Sequence, residues 1–150
     1  MPKKKELEYF EAVGRRRESI ARVRLYLLTT KASRVTIKEN KYKHGDVIIN
    51  NIKGEEYFPS PQEQKQYLLP LELTKSVERF VVSIRIVGGG KKGQLEAVML
   101  GISRALCLVD EATRPILKEN GLLTRDPRTR ERRKVGTGGK ARRKKQSPKR

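Results

Sequence analysis

A small domain of strands and helices carrying a long basic tail is what this sequence predicts, on three observations. Residues 19–28 and 80–87 alternate along the chain with a period of two, the signature of strands whose faces meet different surroundings. Residues 94–109 space their apolar side chains by three and four, as a buried helix does. The 27 residues from Thr124 onward hold only Val135 and Ala141 as apolar side chains. That is too little to offset the ~1–2 kcal/mol of backbone entropy lost per ordered residue, so this stretch by itself is expected to be disordered.

The elements follow in order. Leu7 to Val13 reads as a strand, with Leu7, Tyr9 and Val13 on one side and Phe10 and Ala12 on the other. A basic corner, Gly14-Arg15-Arg16-Arg17-Glu18, leads into Ser19 to Leu28, and a hairpin joins the two strands. In the second strand Ala21, Val23, Leu25 and Leu27 form an apolar face, while the other face sets Arg22 and Arg24 side by side. Arg34 to Lys38 and Val47 to Ile49 suggest a smaller hairpin, closed by a polar loop with Asn40, Lys41, Lys43, His44 and Gly45 that is long for such a connection. Gly54 to Phe58 and Pro61 to Leu69 suggest short helices, the second opened by Pro61 and ended by Pro70. Phe80 to Val87 is a strand with Phe80, Val82, Ile84 and Ile86 facing one way. A glycine loop, Gly88 to Gly93, then feeds the helix at Gln94 to Val109, where Ala97, Gly101 and Ala105 form a small-residue face that admits a neighbouring backbone. Thr113 to Asn120 is a shorter helix with Thr113 as N-cap and Gly121 as its stop.

Composition bounds the function. The 150 residues carry 36 Lys+Arg against 17 Asp+Glu, a net charge of +19, and apolar residues make up 35% of the chain. This describes one domain, residues 1–123 with a basic end at 1–5, and a tail at 124–150. The tail alone has thirteen Lys/Arg and two acids, so it holds +11 of the total and its like charges repel. A polyanion is the partner that neutralises and orders such a segment. No apolar stretch approaches the ~18–20 residues needed to cross a bilayer, and Lys3, Lys4 and Lys5 pass straight into Glu6 and Glu8 with no apolar signal region. The single cysteine, Cys107, excludes an internal disulfide and fits a reducing compartment, and the single histidine, His44, cannot build a metal cluster. No Ser/His/Asp set or paired-carboxylate site is present, so no catalytic residue, cofactor, metal or small-molecule substrate is expected.

Two motifs carry charge to defined places. Gly88 to Gly93 fits G-x-G-x-x-G between a strand and a helix, the context of a dinucleotide fingerprint. The second strand of that unit is missing, however, because Asp110 stands between two helices. Two readings of the loop stay open: helix N–H groups beside Lys91 and Lys92 holding a nucleic-acid phosphate, or a flexible turn with solvated lysines. Arg15, Arg16 and Arg17 with Arg22 and Arg24 form a compact basic patch. No Trp occurs and no aromatic follows Phe80, so backbone phosphate contact is expected to dominate over base stacking.

The chain resembles the family of the universal ninth protein of the small ribosomal subunit, in its bacterial or organellar form. The resemblance runs from Tyr9 to Arg150. It rests on Gly14-Arg15-Arg16-Arg17-Glu18-Ser19-Ile20-Ala21-Arg22-Val23-Arg24-Leu25, Glu56-Tyr57-Phe58-Pro59, Pro70-Leu71-Glu72-Leu73-Thr74, Gly88-Gly89-Gly90 with Gly93-Gln94, and Gly101-Ile102-Ser103-Arg104-Ala105-Leu106. Leu123-Thr124-Arg125-Asp126-Pro127-Arg128, Lys140-Ala141-Arg142-Arg143 and the terminal Lys149-Arg150 complete it. It implies an α+β domain, a mixed sheet covered by helices with a left-handed β-α-β crossover, and a long unstructured basic tail. It further implies a structural constituent of the small subunit bound to ribosomal RNA in the subunit head, beside neighbouring head proteins and in the cytoplasm or an organelle. On the charge pattern read above, the residues expected to bind that RNA are Arg15, Arg16, Arg17, Arg22, Arg24, Lys91 and Lys92 of the domain. In the tail they are Arg125, Arg128, Arg130, Arg132, Arg133, Lys134, Lys140, Arg142, Arg143, Lys144 and Lys145. Lys149 and Arg150 are implied to approach transfer RNA in the peptidyl site. The chain departs from the family in Gln146-Ser147-Pro148, where family tails carry Phe-Ser, and in a longer segment at Lys38 to Asn51. The competing reading of the same charge is a free nucleic-acid-binding regulator.

From Pro127 to Arg150 the chain can extend at most roughly 80 Å at ~3.3 Å per residue. If about ten phosphates are contacted, affinity for single-stranded RNA falls with salt at a logarithmic slope near about −7, and more steeply for duplex DNA. A salt titration of the full chain by fluorescence anisotropy measures that slope, and a value near zero contradicts phosphate-dominated binding.

Overall fold

The computed structural model describes residues 8–27, 35–37 and 40–131. The chain runs through β1 (Tyr9–Arg16), β2 (Ser19–Leu27), β3 (Val35–Ile37), β4 (Asn40–Tyr42), β5 (Val47–Ile49) and β6 (Ile52–Lys53). It continues through α1 (Gly54–Tyr57), α2 (Pro61–Leu73), β7 (Phe80–Val87), α3 (Lys91–Val109), a 3-10 turn at Glu111–Thr113 and α4 (Arg114–Glu119). Five strands make one mixed sheet in the order β1-β2-β7-β5-β6. In it β5 runs parallel to β7 and the other neighbours are antiparallel. The fold is α+β, with helices laid over one face of the sheet.

That face is made by alternation. Ala21, Val23 and Leu25 of β2 and Phe80, Val82, Ile84 and Ile86 of β7 are all buried, and they share one core with Leu95, Val98, Ile102 and Leu106 of α3. At roughly 25 cal/mol per Å2, a fully buried side chain of this size contributes about 1.5–3 kcal/mol. α3 lies across β1 and β2, and α2 packs against α3. The small-residue face of α3 serves the close approach expected of it. A Cβ on Gly14 of β1 would stand 1.9 Å from the Ala97 carbonyl oxygen and 2.5 Å from the Gly101 nitrogen. Across the helix edge, Arg104 Nη1 donates to the Val13 carbonyl of β1 at 2.8 Å.

The structure departs from the sequence expectations at several boundaries. β1 runs on through Arg16, so the corner shrinks to Arg17 and Glu18, with Arg17 in the left-handed region at φ 50°. The arginine triplet hides this continuation, because Gly14 and Arg16 occupy inward positions that a pattern of apolar side chains cannot reveal. Val47–Ile49 does not pair with Val35–Ile37. Instead β3 closes on β4 as a separate two-stranded sheet, and β5 enters the main sheet between β7 and β6. All three β5 residues are buried, as suits a strand covered on both faces. α2 continues past Pro70 to Leu73, because a proline in the last turn costs only one intrahelical bond. The Thr74 N–H and hydroxyl both donate to the Pro70 carbonyl there, at 3.3 and 3.0 Å. α3 starts at Lys91 instead of Gln94, and the turn before α4 is capped by Asp110, which accepts from the Ala112 N–H at 2.9 Å. Among the described residues no helix is long and apolar enough to cross a membrane.

Gly14→Ala is expected to destabilise the domain by about 3 kcal/mol or more, because both atoms it meets are backbone and cannot yield as a side chain would. Urea unfolding of the wild-type and variant chains measures the difference.

Candidate nucleic-acid interface

The face of the sheet away from α3 is largely open. At one end Tyr26, Val81 and Ile48 are buried, with Tyr42 of β4 packed against them. Beyond them, strand register sets residues in rows: Glu11, Arg24 and Ser83; Val13, Arg22 and Arg85; Arg15, Ile20 and Val87. Arg15, Arg22, Arg85, Ile20 and Val87 are exposed. Arg22 and Arg85 stand directly opposite each other on adjacent strands, a like-charge pairing that destabilises a sheet unless an anion lies across it. Arg24 is different. Its Nε donates to Glu11 at 2.6 Å and its guanidinium lies 4.6 Å from the Tyr9 ring centroid. The Glu11 carboxylate raises its pKa above the ordinary arginine value, against a smaller opposing effect of burial.

A second cationic surface forms where three separate sequence segments meet. The β1–β2 corner, the glycine turn before α3 and the root of the tail line an open cleft of about 760 Å3. It gathers Arg17, Lys91, Lys92 and Arg130, with Glu18 and Glu96 also on its walls. The glycines make the turn possible, since Gly88 and Gly89 have φ of 76° and 64°. Lys91 and Lys92 stand in the first turn of α3 instead of in a loop.

The third element is a knot that ties Arg16 to α3 and to residues 126–128. Arg16 is not with the solvent-facing cations: its side chain is 9% exposed. Its Nε pairs with Glu96 of α3, its Nη2 lies 2.9 Å from Asp126, and its Nη1 donates to the Arg128 carbonyl at 2.8 Å. Arg128 closes back on Asp126 through its own Nη2 at 2.6 Å, and the Arg128 N–H donates to the same carboxylate at 2.9 Å. Hydrogen bonds from Arg128, aided by the charge of Arg16, hold the Asp126 carboxyl well below the usual carboxylate range. The first described tail residues, 124–131, therefore form no helix or strand yet are fastened to the domain.

Comparison with known proteins decides the family. The model of the family described as ribosomal protein S9/S16 matches residues 14–150. The chain belongs to the ribosomal protein S9 family. It is 43% identical over 132 residues to the small ribosomal subunit protein uS9 of Solidesulfovibrio magneticus, covering 88% of this chain and 90% of that one. The protein of the same name from Amoebophilus asiaticus is 43% identical over 130 residues, covering 87% and 90%. That of Chlorobium limicola is 44% identical over 129 residues, covering 86% and 88%. As a member of the ribosomal protein S9 family, the chain is a structural protein of the small ribosomal subunit.

Within this family member, Arg15, Arg17, Arg22, Lys91, Lys92, Arg125, Arg128 and Arg130 are exposed and Arg24 is half-buried. Arg132, Arg133, Lys134, Lys140, Arg142, Arg143, Lys144, Lys145, Lys149 and Arg150 lie outside the described residues. Two contributors escape the sequence pattern. Arg85 is legible as an outward residue of its strand, but only the register brings it opposite Arg22. Asp126 is one acid among many bases, and no local signal ties it to Arg16, 110 positions away.

Because the Asp126 pKa is lower in the folded chain than the ~3.9 of a free aspartate, its pairing stabilises the docked tail root above that value. The contribution declines as pH falls below it and is gone once pH has fallen through the depressed folded value. A carboxyl-carbon NMR titration is expected to show Asp126 still ionised at pH values where exposed acids have protonated.

Proposed function

We propose that this chain binds ribosomal RNA in the head of the small subunit through the open sheet face and the cleft at the start of α3. Its tail is carried outward along RNA until Lys149 and Arg150 reach transfer RNA in the peptidyl site. The observation that carries the reading is the convergence of Arg17, Lys91, Lys92 and Arg130 from three distant segments on one cleft. Cations brought together by folding, at a cost in mutual repulsion, are best explained by a polyanionic partner. The like-charge row of Arg22 and Arg85 supports it on the sheet face. The names of the uS9 relatives support the setting in the small ribosomal subunit. Neighbouring proteins of the subunit head as further partners and the cytoplasm as the compartment belong to the proposal.

The fastened tail root adds a direction. Asp126 and the Arg128 main chain are held at Arg16, and Thr129 and Arg130, which follow them, line the cleft. Domain and tail then address one continuous stretch of phosphate.

Stoichiometric recovery of the chain in salt-washed small subunits is the test, and recovery only in the soluble fraction would favour a free nucleic-acid-binding regulator. Deleting Lys149 and Arg150 is expected to weaken peptidyl-site transfer RNA binding to assembled subunits without changing the melting temperature of the chain. Replacing Arg22 and Arg85 together by Gln is expected to raise that melting temperature. It also lowers the salt slope for single-stranded RNA by about 1.4, at about 0.7 for each phosphate that is no longer neutralised.

A further inference from the structure

The cleft at the start of α3 contains a hydrogen-bond donor with no acceptor among the described residues. Ser19, the first residue of β2, is 1% exposed, and its hydroxyl has no hydrogen-bond partner there. Its place is fixed by the glycines around it. A Cβ on Gly89 would stand 1.9 Å from Ser19 Oγ, and one on Gly93 would stand 3.0 Å away. The hydroxyl therefore lies directly against both the glycine turn and the first turn of α3. Few native side chains leave a buried donor in this state, and each such group calls for an account.

The helix end beside it has unmet donors too. The N-cap of α3 is Gly90, which offers no side chain to accept from the first turn. The main-chain N–H groups of Lys91, Lys92 and Gly93 have no carbonyl within the helix to bond. The first turn carries no acidic residue, although α3 runs for 19 residues and its aligned peptide dipoles favour negative charge there. Of the two carboxylates on the cleft wall, that of Glu96 is engaged by Arg16. The other belongs to Glu18, at the corner beside Arg17.

We infer that the first turn of α3 and Ser19 form a socket for one phosphate group, bound by main-chain N–H groups and the Ser19 hydroxyl, with Lys91, Lys92 and Arg17 at its rim. The socket satisfies the orphan hydroxyl and the uncapped helix end together. The inference rests on the RNA-binding reading only for the source of the phosphate, which is a polynucleotide diester; a free phosphate ion offers the same oxygens.

The test uses the full chain, labelled with 15N and titrated with inorganic phosphate against sodium chloride at matched ionic strength. Saturable shifts are expected at the amides of Lys91, Lys92 and Gly93. Lys91→Gln removes one rim charge and keeps its N–H, whereas Lys91→Pro removes both. Proline suits the first helical position, and Gly90 before it is already extended, with ψ 167°. The proline variant is expected to bind phosphate about tenfold more weakly than the glutamine variant. Ser19→Ala is expected to weaken binding by a comparable factor while leaving the melting temperature unchanged. Shifts that do not saturate, or equal affinities of the two Lys91 variants, overturn the socket, and unaltered affinity in Ser19→Ala overturns the part given to the hydroxyl. Displacement of inorganic phosphate by an oligoribonucleotide lacking terminal phosphates identifies the ligand as a backbone diester. A chain that holds phosphate saturably but binds no RNA retains the socket and refutes the ribosomal-RNA reading instead.

Discussion

Gly14 of β1 and the Ala97 to Gly101 stretch of α3 meet backbone against backbone, at a separation that admits no side chain between them. The rest of the molecule is arranged by that contact. It presses the longest helix onto the edge of the sheet, which turns the helix start toward the β1–β2 corner and sets Glu96 within reach of Arg16 two residues past Gly14. Ser19, opposite Arg16 in the hairpin register, is thereby carried under the glycine turn. A single steric constraint thus assembles the cleft, the buried arginine and the anchoring point of the tail.

The arginines of the first hairpin divide into three kinds of work. Arg16 is inward, and its charge is consumed by Glu96, Asp126 and a main-chain carbonyl. Arg24 is half committed, stacked near Tyr9 and bonded to Glu11. Arg15, Arg17 and Arg22 remain outside. Alternation along the strand makes the division, since Arg15 and Arg16 are neighbours in sequence and lie on opposite faces of the sheet. A guanidinium with five donors suits the inward role, because it can satisfy three acceptors at once where an ammonium would hold them less rigidly.

Much of this arrangement is legible in the amino-acid sequence. The period-two pattern at 19–28 and 80–87 locates both central strands, and the small-residue face of the 94–109 helix foretells that a backbone presses against it. What is not legible has common causes. β5 is three residues long and buried on both sides, so it shows no alternation, and its parallel pairing with β7 is a long-range choice that local pattern does not encode. The continuation of β1 through Arg16 hides behind charge, because a buried arginine is recognised only by its partners and those lie in α3 and the tail. The cleft is present in the sequence as three unrelated basic segments. Folding alone makes them one surface.

The two outer strands bear on how a chain this basic behaves before it finds its place. A sheet margin with unpaired peptide groups is an invitation to another copy of the same strand. Here one margin is β6, just two residues long, and the other is β1, where the guanidinium of Arg104 already occupies the Val13 carbonyl. In the main sheet the margin left for another strand is therefore β1, and one of its carbonyls is already taken by a side chain of its own fold.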